Sequence, residues 1–378
     1  MLMIFVISLN MKKIQMVDLK SQYQKIEKEI DTQVLDVVKS TAYINGPEVK
    51  MFQAELEHYL GVKHVIPCAN GTDALQVAMM ALGLQPGDEV ITADFTYVAT
   101  AEVIALLNLT PVLVDVLPNT FDIDVNAIEK AITSKTKAII PVHLTGRVAD
   151  MEAIQQIAKK NNLLVIEDAA QAIGASYKDK KSGSFGDTGC FSLHPLKNLH
   201  VHGDGGVLTT NNEVLYEKIL KMRNHGLKNR GECEFWGWNS RLDEIQAAIA
   251  NLKLNYLDEW NNKYLTIAKF YIKELNGIVE LPSIKKFEKP VFHRFIIQHE
   301  QRDSLRNFLA SKGIQTAINY PLPLHLHEAS QGLGYRIGDF PMAEKQAKEI
   351  LSLPIYPELK KSETQYVVKC VKTFLKLN

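Results

Sequence analysis

The sequence has no long apolar run. The short one at its start, Leu2–Leu9 in MLMIFVISLNMKK, falls far below the ~20 residues that cross a bilayer. No positive charge precedes that run, and Lys12 and Lys13 follow it, which makes a poor signal peptide. Residues 1–14 are expected to form a disordered N-terminal extension, with translation starting upstream of a natural Met11 as its simplest origin. Charge of one sign is missing as well: 43 Lys plus Arg balance 43 Asp plus Glu. Nucleic acid and anionic membrane therefore find no electrostatic footprint, and any anionic ligand must be held locally. The four cysteines, Cys68, Cys190, Cys233 and Cys370, are scattered and form no C-x-x-C pair. That excludes a disulfide framework and fits a reducing cytoplasm. Internal repeats, low-complexity tracts and long charge runs are absent too, so neither a solenoid nor a charged tail is expected.

Short apolar runs, by contrast, alternate regularly with amphipathic stretches between about residues 60 and 210. Strands are predicted at 64–69, 89–94, 111–116, 137–142, 163–168, 189–194 and 206–210. Helices are predicted at Thr72–Leu84, Val98–Leu107, Val125–Ile132 and Met151–Asn161. This alternation predicts an α/β fold with a mostly parallel seven-stranded sheet between helices. From Arg241 to Leu275 the chain reads as one long helix without proline, followed by a strand near Val291–Ile297 and helices at Ser304–Lys312 and Ala343–Ile350. The expected division is a large α/β domain over 15–250 and a smaller α+β domain over 251–378.

Ligands of such sheets sit at the carboxyl ends of the strands, and four features fall there. Asn70-Gly71-Thr72-Asp73 follows the first strand and opens a helix. Its free amides suit an anion, although Thr72 or Asp73 could equally be a plain N-cap. Asp168 ends the buried strand LLVIED, where a carboxylate needs a partner or a capping role. Ser192-Leu193-His194-Pro195-Leu196-Lys197 places a lysine on a strand-end loop, just before the tight turn Gly203-Asp204-Gly205-Gly206. A lysine there is either a solvated charge or, when desolvated, an amine suited to condensing with an aldehyde. Tyr97, after EVITADF, could stack on a flat ring or belong to the core. His194, His200 and His202 cluster, but nothing beside them completes the four-ligand set of a zinc site, and no metal is expected.

Taken together and in order, these segments resemble the DegT/StrS-type sugar aminotransferases, a branch of the fold-type I pyridoxal-phosphate (PLP) enzymes. The resemblance runs from Val17-Asp18-Leu19 to about Leu353-Pro354. It is carried by PCANGTDALQ, DEVITADFTYVAT, VIEDAAQAIGASY, FSLHPLKNLHVHGDGG, the NHG at 224–226 and WGWNSRLDEIQAAI. It implies PLP (and its amine form) as cofactor, with Lys197 as the catalytic lysine that holds it and moves the proton. Asp168 matches the carboxylate facing the pyridine nitrogen, Gln171 an amide beside the phenolic oxygen, and Tyr97 an aromatic ring on the cofactor face. Gly71, Thr72, Asp73 through its backbone, and Ser192 match the phosphate cradle. Asn239 matches a residue lent by a second subunit, which implies a homodimer with shared active sites.

The implied reaction passes an amine from L-glutamate, leaving 2-oxoglutarate, to a nucleotide-linked keto sugar. Arg230 and Arg241 are candidates for the nucleotide's phosphates, with His194, Tyr320 and His325 as further substrate candidates. The run K-N-L-x-x-x-G-D-G-G resembles the branch that aminates carbon 3, and the chain as a whole resembles the UDP-2-acetamido-3-amino-sugar enzymes of O-antigen assembly. The loop filling HPLKNLHVH departs from that branch. Two alternatives stand beside this reading: amination at C4 of a 4-keto-6-deoxy sugar, and a non-catalytic sensor of the same fold.

Overall fold

The computed structural model describes residues 13–377. Seven strands form the central sheet: β1 (His64–Cys68), β2 (Glu89–Ala93), β3 (Thr110–Val114), β4 (Thr136–Ile140), β5 (Leu164–Asp168), β6 (Thr188–Ser192) and β7 (Gly206–Thr210). Their spatial order is β1-β7-β6-β5-β4-β2-β3. All run the same way except β7, which is antiparallel to both neighbours. Each predicted strand is present, with its ends shifted by two residues at most. The strands read as continuous apolar runs because helices cover both faces. Val65, Ile66, Ile91, Ile139, Ile140 and Ile166 are all buried.

The helices on the sheet are α2 (Pro47–Leu60), α3 (Gly71–Ala81), α4 (Ala99–Leu106), α5 (Val125–Ala131), α6 (Met151–Asn161) and α7 (Glu213–Met222), while α1 (Leu19–Ser40) packs Ile26 and Ile30 against Ile249 and Trp260 further along the chain. Asp150 caps α6, accepting from the Ala153 amide, and Asn162 ends it in the left-handed conformation. That pair of signals fixes both bounds.

The helix predicted over Arg241–Leu275 is instead two, α8 (Glu244–Leu254) and α9 (Leu257–Leu275). The ladder tightens at the break, where the Tyr256 amide bonds to the carbonyl of Lys253, three residues back. No proline or glycine marks the site, because the bend comes from local tightening and not from a residue that cannot be helical. Beyond it, β8 (Phe295–Gln298) pairs antiparallel with β9 (Ile350–Leu353). With α9, α10 (Arg302–Ser311), α11 (Pro341–Glu349) and α12 (Lys361–Leu377) they complete the fold.

Tyr271, Phe295, Leu305, Leu353 and Val371 form a core of their own in this C-terminal part. Ile14 belongs to that core and bonds to Gly313. It was expected in the disordered extension and is instead packed, because it adds an apolar side chain to a core that would otherwise meet water. The remainder of that expectation, residues 1–12, lies outside the described residues. Among the described residues no helix is long and apolar enough to cross a membrane. Cys68, Cys190 and Cys370 are buried, while Cys233 is exposed on a small hairpin formed by Leu227–Asn229 and Glu232–Cys233.

Candidate active site

Parallel neighbours bring two distant segments together at the carboxyl edge of the sheet. Asp168 ends β5 and Ser192 ends β6, with Asp168 opposite Cys190 in register. Successive strand residues face opposite ways, so the two acids of Glu167-Asp168 separate. Glu167 is buried beneath the sheet and fully partnered. It meets His143 at 2.9 Å and accepts from the amides of Gly183 (2.8 Å), Phe185 (2.6 Å) and Gly186 (2.7 Å). Asp168 faces the other side. The Thr100 hydroxyl donates to its Oδ2 at 2.8 Å and the Ala170 amide to its Oδ1 at 3.2 Å. These donors hold the carboxylate in place.

Lys197 lies half-buried on the loop after β6, its amide bonded to the His194 carbonyl. Burial lowers its pKa to about 8; the Asp168 carboxylate pulls upward and the Arg294 guanidinium adds a downward push. An amine in that range is mostly protonated at pH 7 but has a neutral fraction far above that of an ordinary lysine, which a nucleophile or proton acceptor needs. Gln171 is clamped between two partners. Its Oε1 accepts from the Thr145 amide at 2.9 Å and its Nε2 donates to the Tyr320 hydroxyl at 3.3 Å. The Tyr320 ring stands 5.7 Å from that of Tyr97, which is 54% exposed and therefore not core. Burial pushes the Tyr320 hydroxyl up to about 12, so it stays a donor.

The anion cradle sits where α3 begins. A methyl group on Gly71 would stand 2.8 Å from the Ser192 Cβ, and one on Gly206 would run into the Asn70 carbonyl. Glycine is needed at both places so that β1, β6 and β7 can converge. The cap of α3 is Asn70, not Thr72 or Asp73: its side chain accepts from the Asp73 amide at 2.8 Å. The Asp73 N–H, expected in the cradle, is thus bonded to the helix's own cap. Its carboxylate instead accepts from Ser240 at 2.7 Å. The amides of Gly71 and Thr72 have no partner among the described residues, and they remain free for an anion at the helix's positive end.

The other expected residues divide. His194 is exposed beside Lys197, and burial, then that lysine, lowers its pKa. Asn239 is exposed, next to the Ser240 that bonds Asp73. Arg241 donates to Asn224 at 3.0 Å. Arg230 is exposed on the hairpin, and no contact joins it to the cluster. His325 is a correction. Its side chain is wholly buried, with Nδ1 2.7 Å from Asp94 and Nε2 3.3 Å from Glu344. An imidazole closed in by two carboxylates and stacked edge-on against Phe340 has no face left for substrate.

Sequence reasoning passed over Thr100, Thr145 and Arg294. Arg294 is half-buried in FHRF at the start of β8, and its guanidinium has no hydrogen-bond or ion-pair partner among the described residues. A lone arginine inside an apolar strand segment was the one available signal.

A family model described as "DegT/DnrJ/EryC1/StrS aminotransferase family" matches residues 24–372. The chain is 46% identical to a pleiotropic regulatory protein of Geobacillus stearothermophilus, covering 96% of this chain and 98% of the relative. It is 42% identical to the UDP-2-acetamido-2-deoxy-3-oxo-D-glucuronate aminotransferase of Pseudomonas aeruginosa, covering 92% and 96%. The crystal structure of NtdA from Bacillus subtilis with bound PMP superposes with a TM-score of 0.87 at 34% identity, covering 93% of this chain and 82% of that one. The fold, the lysine–carboxylate pair and these matches agree: the chain belongs to the DegT/DnrJ/EryC1/StrS aminotransferase family and is a PLP-dependent nucleotide-sugar aminotransferase.

Proposed function

We propose that this enzyme moves an amino group from L-glutamate to carbon 3 of a UDP-linked 2-acetamido-3-keto sugar, the uronic acid form included. The product would serve cell-surface polysaccharide such as O-antigen, made in the cytoplasm. The observation that carries the substrate class is the likeness, over nine-tenths of both chains, to an enzyme named for a 3-oxo-glucuronate. The unpaired Arg294 near Lys197 supports an acidic reactant: a desolvated guanidinium favours a carboxylate, which it can bind in bidentate fashion.

The residues present fit the cofactor. The free amides of Gly71 and Thr72, with the Ser192 hydroxyl, would hold its phosphate. Asp168, held in place by the Thr100 hydroxyl and the Ala170 amide, would face the pyridine nitrogen. Gln171 would reach the phenolic oxygen, and the exposed face of Tyr97 would cover the ring. When bound, PLP supplies an electron sink for the carbon that gains or loses the amine. Lys197, half neutral at about pH 8, would take the proton from the donor's α-carbon and pass it on within the same half-reaction, and in the second half would deliver a proton to the sugar carbon that receives the amine. Tyr320, held by Gln171, would donate a hydrogen bond at the same place. Asn239, exposed on one copy, would complete the phosphate cradle of a second in a two-fold dimer.

The test is turnover with L-glutamate and a panel of 3-keto and 4-keto sugar nucleotides, with the amine located in the product by NMR. Amination of the UDP-linked 3-keto sugar is expected. An amine at C4 overturns the regiochemistry. Bound cofactor with no turnover across the panel would favour a regulatory role, the reading raised by the name of the Geobacillus relative.

A further inference from the structure

Lys253 is the one fully buried lysine among the described residues, and no step of the reaction uses it. It lies on α8 with 1% of its surface exposed. Its ammonium has no hydrogen bond and no ion pair among the described residues, and burial alone lowers its pKa to about 7. Residues 1–12 carry no Asp or Glu that could reach it. Leaving such a group unpaired is costly. Lys253 lines a cavity of about 180 Å³ between α1, α8 and the loop after Lys197. That is roughly the share of six water molecules in the liquid.

The walls are mainly apolar, with Ile26 from α1 and Val201 from the loop, while Gln22, His200 and His202 supply the polar edges. The Gln22 side chain is buried and has no hydrogen-bond partner among the described residues. His200 donates through Nδ1 to the Lys197 carbonyl at 2.9 Å, and its ring stacks on Trp260. His202 is fixed by its backbone, which exchanges bonds with the Gln246 amide at 2.9 and 3.3 Å. Both imidazoles are neutral near pH 7, His200 lowered to about 3 and His202 to about 4, by burial and then by Lys253.

We infer that this cavity binds a small monocarboxylate with an apolar body, its carboxylate paired with the Lys253 ammonium. The charge count selects the class. One cation balances one negative charge, whereas a phosphate dianion would bring a second into an apolar enclosure without a counter-charge. The apolar walls take up the body of the acid, and the amide of Gln22 offers a donor to the second carboxylate oxygen. The titratable groups facing the ammonium are His200 and His202 from the loop and Tyr23 from α1. Tyr23 is held by Asp31 at 2.8 Å. Binding therefore draws about half a proton onto Lys253 at pH 7 and close to one at higher pH, and affinity falls as pH rises past about 7.

Benzoate titrated calorimetrically into the holoenzyme, beside neutral benzamide, tests this without any turnover assay, so it stands or falls apart from the aminotransferase reading. The expected result is one saturable benzoate site per chain, with proton uptake shown by buffers of different ionisation enthalpy. Binding should weaken on the order of tenfold or more between pH 6.5 and 9, and by at least as much in a folded Lys253→Met variant. Benzamide should not bind. Equal binding of benzoate by Lys253→Met would place the acid at the Lys197 site and overturn the inference. So would tighter binding of inorganic phosphate than of benzoate, or no binding of benzoate by the wild type. A crystal structure pairing Lys253 with a protein carboxylate across a subunit boundary would also overturn it.

Discussion

Lys197 and Lys253 are both buried amines with lowered pKa values, and their surroundings differ in kind. Around Lys197 burial is opposed by a fixed carboxylate and reinforced by a fixed guanidinium, so named neighbours set the balance. Around Lys253 only burial acts. A site with built-in counter-charges has its proton affinity written into the protein, as chemistry at a set pH requires. A site without them leaves its proton affinity to whatever enters the cavity. The comparison separates a catalytic lysine from a receptive one on physical grounds.

Removing each lysine should show the contrast most sharply. Lys197→Ala is expected to lose the visible band of bound cofactor and to cut amino transfer by at least about 10²–10⁴-fold, the usual worth of a positioned acid–base group. Absorbance and single-turnover kinetics with glutamate would check both.

Lys253→Met should instead stabilise the protein at pH 7, by about 1–4 kcal/mol in line with other apolar replacements of buried charge. The sign follows from the lowered pKa: between about 7 and the ordinary lysine value the unfolded chain binds the extra proton. Wild-type stability from this group therefore rises across that window. The advantage of the variant should shrink accordingly between pH 7 and 10, as urea unfolding at the two pH values would show.

Next in size, Asp168→Asn should move the Lys197 amine down by about one pKa unit, because the lost carboxylate was holding its pKa up. The pH dependence of cofactor capture by the apo-protein reports that midpoint; capture needs the neutral amine and so rises with pH through about 8 in the wild type. Arg294→Gln should move the same midpoint upward by less. It should also raise KM for the carboxylate-bearing reactant about tenfold with a smaller change in kcat, the loss expected for one charged hydrogen bond. A fall in kcat alone would break the comparison, since Arg294 would then act on the amine only.

The sequence made the strands legible because each is a short apolar run buried on both faces. The position of Asp168 and Ser192 at strand ends followed from the same runs. The reversed direction of β7 was not legible, since Gly206–Thr210 reads as any other buried strand and its pairing partners lie far away in sequence. The partners of Asp73 and His325 were not legible for a related reason. Each has the right chemistry, but the Asp73 amide is taken by Asn70 and the His325 ring by Asp94 and Glu344, and such partners are fixed only by the folded chain. Arg294 left only the faint signal of a lone arginine in an apolar segment, and Lys253 left none, because an isolated basic residue gives no periodic pattern. What marks them is the absence of a counter-charge in three dimensions.

Three of the four thiols are sealed inside, and the fourth, Cys233, stands on the hairpin three residues before Trp236, which is 90% exposed. A maleimide fluorophore would therefore attach at one place per chain with no engineering, close to an indole able to quench it. Mixing donor-labelled and acceptor-labelled chains then counts how many copies share a particle, and dilution gives the strength with which they hold together.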